Sequence, residues 1–203
     1  MARWFARRRL RRLLLSGDVR SVLARWSPSL ARISHPATMG PLMTATAFAA
    51  YGWVGQARAA LAAAERGPAW DAALEHRLFL DALLLTFEGD RDAALAQAVR
   101  LERLPLPPAS SALRGRVRML RVAVGALARA FAHQSQRGDG ELLEQASHSS
   151  PLVFWAMRYA AAVVAIDQRS FMQARQLLAG APAWPAESTF RAFHTEILAQ
   201  IPS

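Results

Sequence analysis

Two kinds of break alternate along this chain, and no other feature limits its fold as much. Gly beside a polar residue interrupts the apolar pattern at Ser16-Gly17-Asp18, Val54-Gly55-Gln56, Glu88-Gly89-Asp90 and Arg137-Gly138-Asp139. Pro-containing breaks fall between and after them, at Ser27-Pro28, Gly67-Pro68, Pro105-Leu106-Pro107-Pro108, Ser150-Pro151 and Pro182-Ala183-Trp184-Pro185. Gly accepts the left-handed conformation that ends a helix, and Asp caps the next one. The order is therefore helix, tight turn, helix, Pro break, repeated, which is the signature of a repeat architecture.

The segments between breaks are built for helix. Hydrophobic residues make up 53% of the 203 positions but aromatics only 8%, so the apolar content is mostly Ala and Leu. These are the strongest helix formers, and strand-favouring types are scarce. The pattern predicts helices over 2–15, 19–32, 38–52, 54–66, 71–88, 91–104, 110–133, 140–147, 152–167, 169–179 and 186–200. Periodicity is clearest where Leu113, Val117, Leu120, Val124, Leu127 and Phe131 form a buried seam, with Arg114, Arg118, Arg121 and Arg129 on another face. In 186–200, Phe190, Phe193, Ile197 and Ile201 share one side and Glu187, Arg191 and Gln200 the other, as in a solvating cap helix.

Ala82, the Gly89-Asp90 turn, Ala94, Ala98 and Pro105–Pro108 form one unit, Tyr51, Gly55, Ala60 and Ala64 form the unit before it, and Ala60 and Ala94 lie 34 residues apart. In these residues and this period the chain resembles the tetratricopeptide-repeat family. Ala162 and Ala174 take similar small sites in a late unit. The turn-to-turn steps from Gly17 through Gly55 and Gly89 to Gly138 are 38, 34 and 49 residues, so the array is irregular. The first-helix Gly and Trp of the consensus are missing, and the unit at 110–150 has an overlong first helix. The resemblance implies an all-α, right-handed array of antiparallel helical hairpins (an α-solenoid), about five hairpins plus a C-terminal capping helix. A basic hairpin over 1–36 would precede the array over 37–203. Its first helices would line a concave groove, with Trp53, His76, Phe79, Leu83, Phe87, Tyr159 and Asp167 facing a peptide or partner helix.

Charge is uneven. The net +10 comes almost wholly from residues 1–36, where nine Arg oppose the single acid Asp18. Lys is absent, which with the abundant Ala fits a GC-rich bacterial genome. Around the Ala6, Leu10, Leu13 and Leu14 face of the first helix stand Arg7, Arg8, Arg11 and Arg12, with Trp4 and Phe5. Arg mixed with aromatics suits an anionic membrane surface. It also suits nucleic-acid phosphates, although no base-reading module accompanies it, and a solvated cationic cap is the plainest alternative.

Chemistry is thinly represented. No cysteine is present, which excludes disulfides, thiolate zinc sites and a cysteine nucleophile. The five His are scattered, without metal-ligand spacing, and no phosphate loop or nucleophile elbow occurs. Ile33–Ala57 has no charged residue, but its Pro, Gly and hydroxyl content favours a buried helix over a membrane span. The sequence thus reads as a non-catalytic adaptor without cofactor or metal, in the bacterial cytoplasm or peripheral at the inner membrane. Its partner is a protein or peptide, with a membrane-associated helical protein and a small helical enzyme as rival readings.

Overall fold

The computed structural model describes residues 2–202, with side chains from residue 8 onward. It is all-helical, with no strand among the described residues. The helices are α1 (Ala2–Leu15), α2 (Val19–Leu30), α3 (Pro36–Ala50), α4 (Val54–Glu65), α5 (Leu74–Glu88), α6 (Arg91–Arg103), α7 (Ser111–Phe131), α8 (Asp139–Ser149), α9 (Phe154–Asp167), α10 (Phe171–Leu178) and α11 (Phe190–Ala199). Single 3-10 turns, Asp71–Ala73 and Pro151–Val153, lead into α5 and α9.

Helices α3, α5, α7 and α9 end alike. Each places one residue in the left-handed region: Gly52, Gly89, His133 and Arg169, at φ 73, 85, 54 and 59°. The next N–H then reaches five residues back: Trp53 to Phe48, Asp90 to Leu85, Gln134 to Arg129 and Ser170 to Ala165, at 2.7–3.0 Å. This closure satisfies carbonyls a helix end leaves open and turns the chain sharply. Gly55 is not the turn residue expected of it; it lies inside α4, and Gly52 makes the turn. At Gly52 a Cβ would meet Phe190, Ser188 and Thr189 at 2.9 Å, so close packing as well as φ requires glycine there.

Each of α3 to α9 packs on the next helix in the chain, and α3, α5, α7 and α9 also pack side by side. Small residues permit the close approach: Ala57, Ala64, Ala82, Ala94, Ala98, Ala162 and Ala174 are all buried. The beginning of α9 returns to the start of the molecule. Trp155 Nε1 donates to Leu15 O at 2.9 Å, and α9 touches α3. No single helix among the described residues is long and apolar enough to cross a membrane. The uncharged stretch 33–57 folds into α3 and then turns at Gly52. The α8–α9 pair passes by length and composition but is bent by 119°, and α9 is mostly core.

Polar struts hold the longer connections. Arg121 is buried, not part of an exposed basic stripe, because three acceptors call it inward. Its Nε reaches Glu75 Oε1 at 3.0 Å, and its two Nη atoms reach Leu104 O at 2.6 Å and Pro105 O at 3.2 Å. The carbonyls belong to the Pro-rich break, which has no helix of its own to satisfy them. Arg129 pairs bidentately with Asp139 at 2.7 and 3.0 Å and so ties α7 to α8. Burial alone pushes the Asp139 carboxyl up, but hydrogen bonds from Arg129 and the Gln136 backbone outweigh it and hold it below the usual carboxylate range.

Candidate binding face

The layer of α3, α5, α7 and α9 has one face in two unlike halves. Toward the C-terminal ends of α3, α5 and α7 it is filled by the chain's own tail. Ser188 Oγ donates to Tyr51 O at 2.6 Å, and Thr189 N donates to Gly52 O at 2.9 Å. Pinned in this way, α11 places Phe190 edge-on to Phe87 at a centroid distance of 5.3 Å and beside Tyr159 at 5.0 Å. Phe193 lies 5.1 Å from Phe131. Trp184 is wedged among Tyr51, Trp155 and Phe190, and its Nε1–H donates to Tyr159 Oη at 2.6 Å. Tyr159 Oη stands 3.1 Å from His194 Nδ1. Burial pushes the Tyr159 phenol up and the His194 imidazole down. A neutral imidazole accepting from the phenol is the arrangement both shifts favour.

Toward the N-terminal ends the face is open. A cavity of about 330 Å³ lies among Met43 and Thr46 of α3, His76 and Phe79 of α5, Val117 and Leu120 of α7, and Leu152 and Val153 before α9. A second hollow of about 460 Å³ adjoins it, sharing Met43 and His76 and running past Met39 to Leu30 and Ile33. Both are walled mainly by apolar side chains. The expected seam on α7 explains the opening. Val124 and Leu127 are fully buried, whereas Val117 and Leu120 are only half-buried and Leu113 is 50% exposed. The helix outruns its neighbours, so the first half of its seam lines the trough.

The groove expected from the sequence is therefore corrected. Trp53, Leu83, Phe87 and Tyr159 are 6, 0, 6 and 0% exposed and belong to the core. They were expected to meet a partner; instead Phe87 and Tyr159 meet Phe190 of α11, Trp53 stacks on Phe48, and Leu83 is enclosed in the core. Asp167 is exposed but pairs with His133 Nδ1 at 2.9 Å. Only His76 and Phe79 reach the open trough. The terminal helix inserts against the four-helix face instead of capping the stack, and it begins at 190, not 186, because Ser188 and Thr189 are spent on the α3–α4 turn. Met43, Val117, Leu120 and Leu152 were not singled out as site residues; the excess length of α7 was the only hint of them.

In the basic helix, Arg8, Arg11 and Arg12 are exposed, while the side chains of Trp4, Phe5 and Arg7 lie outside the described residues. Leu14 is buried, but Leu10, expected to dock beside it, is 40% exposed. Among the described residues no group of three or more His, Asp or Glu side chains is placed to hold a metal ion. His133, paired with Asp167, borders a hollow of about 260 Å³ with Glu88, Arg91 and Glu196. No hydroxyl or thiol nucleophile is among its hydrogen-bond partners. Compared with family models, with curated proteins and with solved structures, the chain matches none.

Proposed function

We propose that this protein is a non-catalytic interaction scaffold, a divergent tetratricopeptide-like array in the bacterial cytoplasm, which takes a short amphipathic helix of a partner protein in the open half of its face. The observation that carries the reading is α11. An amphipathic helix with Phe190, Phe193 and Ile197 at spacings of 3 and 4 already lies on the filled half. The adjoining trough of Met43, Phe79, Val117, Leu120 and Leu152 is likewise lined mainly by apolar side chains. Helix-in-groove recognition uses such i, i+3, i+7 apolar anchors. The repeated left-handed closure after α3, α5, α7 and α9 supports the repeat reading.

The test is site-specific photocrosslinking in the native host, with the reactive side chain at His76 or at Leu120 and a control at Asp92 on the exposed side of α6. Adducts to one protein from both trough positions, lost on Phe79→Asp, are the expected result. Labelling no stronger than at the control position counts against the reading.

A further inference from the structure

The geometry points to a second contact surface, independent of the trough: the Arg8–Arg12 stretch of α1 docks on an anionic lipid bilayer. The last turn of helix α1 is fastened to the body of the protein. Tyr51 Oη donates to Leu14 O at 2.7 Å and Trp155 Nε1 to Leu15 O at 2.9 Å. Carbonyls that a helix end leaves open are thus taken up by the body of the protein, which fixes the direction of α1 and leaves the basic stretch outside the core. From Arg8 to Arg12 every residue is exposed.

Among the described residues the charge of Arg9, Arg11 and Arg12 is not neutralised. The one acid among residues 1–36 is Asp18, and its carboxylate is used as the α2 cap, accepting from Ser21 N at 3.0 Å. Among the described residues, no ion pair or hydrogen bond involves the side chain of Arg9, Arg11 or Arg12. Arg25 in α2 and Arg32 just beyond it are also exposed.

Two features select a bilayer over a nucleic acid. Leu10, 40% exposed, sits between the arginines, and an apolar side chain gains nothing from a phosphodiester backbone. At a membrane it enters the acyl boundary while the arginines meet the headgroups. Trp4 and Phe5, just ahead in the sequence, are of the type that seats at that boundary.

Flotation of the full chain with vesicles of phosphatidylcholine alone, and of phosphatidylcholine mixed with phosphatidylglycerol, tests the assignment. Binding to the mixed vesicles only is expected. The triple variant Arg9→Gln, Arg11→Gln, Arg12→Gln should lose about fivefold per arginine, on the order of a hundredfold together. Leu10→Ser, which keeps every charge, should lose about threefold. Both variants alter exposed positions, and unchanged circular dichroism and Tm confirm that the fold is intact. The assignment is overturned if the unmodified chain fails to float or binds neutral vesicles equally well. It is also overturned if Leu10→Ser binds undiminished while a DNA duplex displaces the protein, since the surface then recognises polyanions in general.

Discussion

The two halves of the α3–α5–α7–α9 face are made from the same helices yet are stabilised differently. The filled half is aromatic, with Phe87, Phe131, Tyr159, Trp184, Phe190 and Phe193 in mutual contact and the chain's own helix seated on them. The open half is aliphatic and rests on one buried guanidinium, Arg121, which gathers Glu75 and two loop carbonyls beneath it. The lesson is that a chain can fill part of its own groove with its tail. What remains available to a partner is then set by where that tail stops.

The comparison can be broken first at Phe190. It is fully buried, so Phe190→Ala should cost about 3–5 kcal/mol. Denaturant unfolding would show this as a fall in midpoint at unchanged slope, and a loss under 1 kcal/mol would mean that α11 is not integral to the fold. Removing the strut of the open half, Arg121→Ala, leaves the Leu104 and Pro105 carbonyls without their partner and should cost about 2–3 kcal/mol. Hydrogen exchange should rise locally over 104–110. Gly52→Ala combines left-handed strain with contacts to Ser188, Thr189 and Phe190, and about 1–3 kcal/mol is expected. Increased exposure of Trp184, read by fluorescence quenching, would show that the damage reaches the tail.

Smaller effects sharpen the contrast. In the open half, Leu120→Asn should change stability by less than about 1 kcal/mol, since a half-buried position tolerates polarity. A large loss there would show the trough to be sealed core. Acid should loosen the filled half. Burial holds the folded-state pKa of His194 below its unfolded value, so the unfolded chain binds the proton more readily. The contribution is fully present above the unfolded pKa of about 6.5 and is lost as pH falls from there through the folded pKa. His194→Gln should flatten the dependence of Tm on pH in that interval, and an unaltered slope would assign the effect to another group.

Much of this was legible along the chain. The helices follow from Ala and Leu periodicity, and the Gly89-Asp90 turn from its chemistry, with Asp90 capping α6 at 3.2 Å from Ala93 N. Two turns escaped because their left-handed residues, His133 and Arg169, carry side chains that give no local sign of that conformation. Phe87 and Tyr159 were read as facing a partner because the family resemblance places them on groove-lining helices, and matched unit positions do not report what covers them.

The sequence by itself determined the elements: the near-complete set of helices, the Gly89-Asp90 closure among the turns and the concentration of charge at the beginning of the chain. These depend on backbone propensity, capping and composition, all of which act within a few residues. Only the tertiary structure decided which apolar side chains are spent internally. Ser188 meets Tyr51 across 137 residues, and Trp155 meets Leu15 across 140. Contacts so distant leave no periodic trace, because an apolar stripe looks the same whether its own tail or another molecule removes it from water.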